Sequence, residues 1–296
     1  MKPVLSQDED GFTFETEAMM GRIAPQGAYH GISQLRDKVS GRELIHPKYS
    51  ALNLFRLLAV NQGMGEPRYM KRSVSSDGDA ITIRWAATEA HLGALEATYT
   101  VRAPATIDLT VKARTQGSYA GYEVFLSSYF EPILRPFVYL KVGRYGVAGQ
   151  EQERVCPMVN DVFRGTVIVF PRDSHMARRC VDGRWDRNEY GAPTVQMCPV
   201  RFYSLPLAYL ADEDQGRAVV LMAEEQNCAS ISTRYHAEDQ ARRMTDYSAF
   251  DFSLFGRDML PEDEVRVRLR LTLVSLTDEG DAAIQALEAF RRELAE

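Results

Sequence analysis

Strict alternation of apolar and polar residues recurs along most of this chain, and no other feature limits its fold so much. In the segment VRVRLRLTL, Val265, Val267, Leu269, Leu271 and Leu273 alternate with Arg266, Arg268, Arg270 and Thr272. Successive side chains of a strand point to opposite faces, so this pattern predicts a half-buried strand with three arginines on its outer side. Ile81, Ile83 and Trp85 alternate with Thr82 and Arg84, and Ile107, Leu109, Val111 and Ala113 with Asp108, Thr110 and Lys112. Turn-forming clusters separate the runs, at Ser76–Asp79, Ala103–Pro104, Gln116–Ser118, Asp212–Gly216 and Pro261–Asp263. Long amphipathic helices between strands are missing, which argues against a parallel α/β sheet and predicts mostly antiparallel pairing. One helix is expected at the C-terminus. Thr277 would be its N-cap, Asp278, Glu279 and Asp281 would fill the first turn, and Ile284, Leu287, Phe290 and Leu294 would form its apolar stripe. The apolar run ALNLFRLLAV, 51–60, fits a buried strand and a short helix equally well.

The expected architecture is therefore all-β, a large antiparallel sandwich with a C-terminal helix, and residues 1–296 read as one domain because no Pro/Gly/Ser-rich linker divides them. A net charge of -6 argues against a field that gathers nucleic acid. The four cysteines have no zinc-ligand spacing, and their use fits reduced thiols in a cytoplasmic protein. No apolar run approaches the roughly 18 residues of a membrane helix. Neither a metal nor a cofactor is expected. Walker A, GxGxxG, GxSxG and HExxH motifs are absent, and the Asp212–Asp214 run lacks calcium-loop spacing.

The densest chemistry lies between Pro171 and Tyr190, where five arginines, three aspartates, a glutamate, a histidine, a tryptophan and a tyrosine share twenty residues. A polar loop on a sheet scaffold suits a polar ligand, although a hairpin tip held by surface ion pairs has the same composition. His175 is the candidate acid or base of this loop, and an exposed histidine paired with Asp173 is the alternative. Trp185, flanked by Arg184 and Asp186, could stack on a sugar ring or simply anchor the loop. In YEVFLSSYFEP, Tyr129 and Glu131 share a strand face, and an aromatic neighbour can raise a carboxyl pKa toward the range of a general acid. Glu131 could equally cap the turn before Pro132. Arg184, Arg201 and Tyr203 are further candidate substrate contacts, because a guanidinium fork pairs with carboxylates.

Three segments carry a resemblance. They are GISQLRDKVSGRELIHP from Gly31 to Pro47, EATYTVRAPATIDLTVKA, and SAFDFSLFGRDMLPEDEVRVRLRLTL from Ser248 to Leu273. In their order and pattern the chain resembles the galactose-mutarotase-like (aldose 1-epimerase-like) family. The resemblance implies a β-supersandwich and action on sugars, hence an isomerase of carbohydrate metabolism. The family's two histidines and glutamate have no motif match among His30, His46, His91, His175 and His236. Two functions stay open. One is an epimerase, lyase or hydrolase acting on a sugar or sugar acid by acid/base chemistry. The other is a non-catalytic carbohydrate-binding or assembly protein. A homodimer is compatible with either.

Overall fold

Three β-sheets carry the alternation seen in the sequence. The structure is a computed structural model that describes residues 3–60, 62–142, 152–158, 167–182, 184, 195–197 (backbone only), 201–235, 247–276 and 282–296. The first sheet is a meander of β1 (Val4–Gln7), β2 (Phe12–Glu15), β3 (Met19–Ala24) and β4 (Gly31–Asp37). The second contains β7 (Arg72–Asp77), β8 (Ala80–Trp85), β9 (Gly93–Arg102), β10 (Thr106–Thr115), β12 (Arg135–Lys141), β13 (Gln152–Val155), β16 (Tyr203–Asp212), β17 (Arg217–Ala223) and β20 (Glu264–Ser275). Its strand order is β13-β12-β16-β17-β20-β10-β9-β8-β7. The third contains β5 (Asn53–Ala59), β6 (Gln62–Gly63), β11 (Tyr119–Phe130), β14 (Val167–Pro171), β15 (Val195–Met197), β18 (Cys228–Arg234) and β19 (Ser248–Met259), in the order β15-β14-β18-β19-β11-β5-β6. Among the described strands only β14 and β15 pair in parallel. The ambiguous run before Val60 is strand β5.

The two large sheets face each other across one core. Ile107, Leu109 and Val111 of β10 and Leu269 and Leu271 of β20 share a cluster with Val124 and Leu126 of β11 and Phe250 and Phe252 of β19. All are fully buried, and each contributes about 1.5–3 kcal/mol as a large apolar side chain removed from water. Ile23, Ile32 and Leu35 of the meander join the same cluster. Ion pairs also tie that meander to the nine-stranded sheet. Arg217 at the start of β17 donates from Nε to Asp37 Oδ2 at 2.7 Å and from Nη2 to Oδ1 at 3.1 Å, and Arg42 pairs with Asp212.

The C-terminal helix is α2 (Ala282–Ala295), and its expected N-cap Thr277 lies outside the described residues. Ala283, Leu287 and Phe290 bury against Tyr139, Leu207, Tyr209, Val220 and Met222 on the outer face of the nine-stranded sheet. This helix alters the expected arginine face. Arg266 is exposed, whereas Arg270 is buried beneath α2, held by both oxygens of Asp108 and both of Glu293 at 2.7–3.0 Å. A second helix, α1 (Ser174–Cys180), occupies the segment expected to be a polar loop; Asp173 caps it by accepting the Met176 N–H at 2.9 Å.

Two consequences are measurable. Replacing Asp37 by Asn leaves Arg217 buried without its counter-charge, and should cost about 3–5 kcal/mol of unfolding free energy in a urea titration. Burial holds His91 down at about 4, with its Nε2 3.1 Å from the Tyr122 hydroxyl. An unfolded histidine takes its proton near 6.5, so this group costs stability as pH falls from about 6.5 toward 4. The stability lost between pH 7 and pH 5 should shrink by about 2 kcal/mol in His91→Gln.

Candidate functional site

Strands β11, β19 and β18 bury both of their faces. Toward the core they present Val124, Leu126, Phe250, Phe252, Leu254 and Ile231. On the other face most of the intervening residues are polar, and antiparallel register sets them in rows. Ser232 lies opposite Asp251, which lies opposite Ser127, which lies opposite Asn53 of β5. The next row reads Ser230, Ser253, Phe125 and Arg56, and the row on the other side reads Arg234, Ala249 and Tyr129. Ser127, Ser230, Ser232, Ser253, Asp251 and Arg56 are all buried, so this polar face is covered rather than open to bulk water.

Rings cover part of it. The segments before β4 and β5 bring Tyr29, His46 and Tyr49 over the end of β11, where they meet Tyr129 and Tyr247. Ring centroids lie 4.8 Å apart for Tyr29 and Tyr49, 4.9 Å for Tyr49 and Tyr129, 5.0 Å for Tyr129 and Tyr247, and 4.8 Å for the stacked His46 and Tyr49. The His46 Nδ1 accepts the Lys48 N–H at 3.2 Å, which places the ring proton of the neutral imidazole on Nε2. Burial raises the pKa of Tyr29, Tyr129 and Tyr247, and the charge of Asp251 adds to the rise at the last two. These phenols stay neutral and serve as hydrogen-bonding groups on flat apolar faces.

Asp251 is 5% exposed. Its Oδ2 accepts from the Ser232 hydroxyl at 3.5 Å. Burial raises its carboxyl to about 6, opposed by the Arg234 charge and by hydrogen bonding from Ser127, the Ser128 backbone and Ser232. Arg234 in turn donates to the Tyr247 hydroxyl. Beyond β5, the short helical turn Pro67–Tyr69 places Arg68 against Phe55, and Glu66 reaches both Arg68 Nε at 2.5 Å and Arg56 Nε at 3.4 Å. A carboxyl that exchanges its proton near neutral pH, aromatic platforms, hydroxyls and guanidinium groups thus meet on one sheet face. Among the described residues no group of three His, Cys, Asp or Glu is placed to hold a metal.

The structure distributes the residues singled out from the sequence over two ends of β11. Tyr129 lies in the ring cluster, and Glu131 follows it at the strand exit, half-buried, its N–H bonded to the Leu44 carbonyl at 2.9 Å. His175 is exposed on α1, in a surface depression of about 420 Å³ with Arg172, Arg179, Gln226, Arg257 and Asp258. That depression includes Phe255, which pairs with Glu123, so eight strand residues, roughly 25 Å, separate it from Glu131. His175 and Glu131 are thus placed toward opposite ends of β11.

Arg184 is buried. Its Nη1 donates to Glu123 Oε1 at 2.5 Å and to the Gly121 carbonyl at 3.0 Å, while Nε and Nη2 hold Asp182. A Cβ on Gly121, whose φ is +58°, would lie 2.8 Å from Arg184 Nη2, so the close approach depends on glycine. Tyr203 is buried, with its hydroxyl donating to the Cys228 carbonyl at 2.6 Å; Arg201 pairs at the surface with Glu153 at 2.7 Å. Trp185 lies outside the described residues. Among the described residues, no helix is long and apolar enough to cross a membrane.

These placements predict a scaffolding role for Arg184. Arg184→Met strands the buried Glu123 and should destabilise the protein by about 3–5 kcal/mol in denaturant, with ligand affinity of the surviving folded fraction changed less than twofold in calorimetry.

No protein-family model matches the chain, and no curated protein matches it significantly. Solved structures do. A candidate aldose 1-epimerase from Escherichia coli K12 superposes with a TM-score of 0.54 at 10% identity, covering 93% of this chain and 100% of that one. The Slr1438 protein from Synechocystis gives 0.51 at 10% identity, covering 92% and 96%. An alpha-N-acetylgalactosaminidase from Bifidobacterium bifidum, in complex with GalNAc, gives 0.54 at 11% identity, covering 95% of this chain and 39% of that one. The chain therefore has the galactose-mutarotase-like fold expected from its sequence pattern.

Proposed function

We propose that this protein acts on a carbohydrate at the polar face of the seven-stranded sheet, with Asp251 as the group that moves a proton and the tyrosine cluster as the platform for the sugar ring. The observation that carries the reading is Asp251 itself, a buried carboxyl raised to about 6 among serines and within electrostatic reach of Tyr129 and Tyr247. Sugars offer hydroxyl donors to such a carboxyl and C–H faces to Tyr49, Tyr129 and Tyr247, whose rings lie 4.9–5.3 Å from one another. A carboxyl with a pKa near the working pH exchanges protons efficiently at an anomeric or ring carbon, which suits an epimerase, lyase or hydrolase. Sugar-acting proteins among the structural neighbours with TM-scores above 0.5 support the choice of ligand class by analogy. A second reading, a sugar-binding protein without turnover, is favoured by the serines around Asp251, which supply hydrogen bonds and no further carboxylate.

Incubation with panels of hexoses, hexuronates and their oligomers, followed by NMR, separates the two readings. Anomer exchange or new unsaturated or hydrolysed products support the enzyme, and saturable binding alone supports the binder. The enzyme reading expects Asp251→Asn to lower turnover about 100-fold or more, and the wild-type rate to rise with pH about a midpoint near 6 as the base ionises. Unchanged turnover in Asp251→Asn would remove Asp251 from the chemistry. The same carboxyl affects stability with a definite sign. The folded state keeps a proton that the unfolded chain releases near 3.8, so this group costs stability as pH rises from about 4 to about 6, by roughly 3 kcal/mol. Asp251→Asn should flatten that fall, read as a higher Tm at pH 8.

A further inference from the structure

We propose that Arg68 selects a sugar bearing a carboxylate, a hexuronate, at the site of Asp251; the proposal rests on the sugar-site reading above and names the substrate class within it. Arg68 is 9% exposed, and its guanidinium carbon lies 3.7 Å from the centroid of Phe55 and 4.7 Å from that of Tyr69. Two rings against the guanidinium fix its plane, so little side-chain entropy is left to lose when an anion docks. The Nε is taken by Glu66 Oε2 at 2.5 Å, and the other oxygen of Glu66 lies 3.4 Å from Arg56 Nε. Arg68 therefore does not have a carboxylate to itself, and its charge is only partly compensated by Glu66. The Arg68 charge reaches the ring cluster through Tyr29, whose phenol pKa it lowers against burial and whose ring lies 4.8 Å from Tyr49 and 6.0 Å from Tyr129. On the opposite side of the cluster, Tyr247 is held by Arg234.

A sugar ring seated on Tyr49, Tyr129 and Tyr247 is thus flanked by positive charge, in a chain whose net charge is -6. Among the described groups here the guanidinium groups Arg56, Arg68 and Arg234 outnumber the carboxyls Glu66 and Asp251 by one, which favours a monoanionic ligand locally. Because Glu66 already offsets part of the Arg68 charge, a monoanionic carboxylate is a better match than a dianionic phosphate.

The test is calorimetric titration at low salt with glucuronate and galacturonate, the matched neutral hexoses, the hexuronate methyl esters and hexose 6-phosphates. The expected result is hexuronate binding at least tenfold tighter than the hexose, with the methyl ester falling to the hexose level. In Arg68→Gln the ratio of hexuronate to hexose affinity should collapse toward one. Equal binding of hexuronate and hexose overturns the proposal and leaves the sugar site standing. Survival of the preference in Arg68→Gln, or tighter binding of the 6-phosphate, also overturns it. Binding of none of these sugars overturns the sugar-site reading itself. Should Arg68→Gln fail to fold, the methyl-ester comparison decides on the wild-type protein.

Discussion

A sheet buried on both faces can be apolar on both, as most are, or it can line one face with polar groups that must find partners away from water. In this protein β11, β18 and β19 take the second course, and the placement of everything around them follows. Their core face fixes the sandwich through Val124, Leu126, Phe250 and Phe252. Their other face carries Asp251, Glu123 and four serines in cross-strand rows. Burying a carboxylate is costly unless it is paired, protonated or meets a ligand. Two carboxylates on this face resolve that cost differently. Glu123 is paired, with Arg184 and the Ser253 hydroxyl taking its oxygens. Burial pushes both carboxyls upward, and what separates them is their company: Glu123 holds the Arg184 guanidinium, whereas Asp251 lies within electrostatic reach of Tyr129 and Tyr247.

Shared architecture does not transfer chemistry. At 10–11% identity, what this chain has in common with its structural neighbours is the arrangement of strands. The polar face of this chain combines a carboxyl raised to about 6, tyrosines whose pKa burial raises, and an arginine braced by two rings. The aromatic cluster is assembled from three loops and a strand end, Tyr29, His46 with Tyr49, Tyr247 and Tyr129, so its geometry depends on the sheets being correctly registered rather than on any local motif.

Alternation made the sandwich legible. Ile81, Ile83 and Trp85, or Val265 through Leu273, show period two because one side of each strand meets the core and the other a different environment. The same signal is silent about what that other environment is. Asp251 in FDFSLF reads as a polar residue on an outer face, and only its burial together with its cross-strand neighbours Ser127 and Ser232 shows that the face is covered. Of the residues singled out in advance, Tyr129 lies in the candidate site, while His175 drew notice for its charged sequence neighbours, which turn out to belong to a capped helix. That helix was hard to foresee because seven residues offer no full apolar stripe, with Met176 and Ala177 its only buried members. Arg56, inside an apolar run, and Arg68 gave no periodic signal, since their partner Glu66 sits in an irregular segment.

The clamp on Arg270 reaches further than the joint it makes. Its residue is near the middle of β20, a central strand of the nine-stranded sheet, and its guanidinium joins Asp108 of the neighbouring strand to Glu293 near the chain's end. Peeling α2 away would break the Glu293 half of that clamp and uncover the Tyr209 and Phe137 stack, whose centroids are 5.0 Å apart, together with the surface around it. Terminal helices ordinarily fray at little cost. This one is coupled to the centre of the sheet, so its amide hydrogens should exchange with solvent through the same slow opening as the core strands, and the last turns of the chain belong kinetically to its middle.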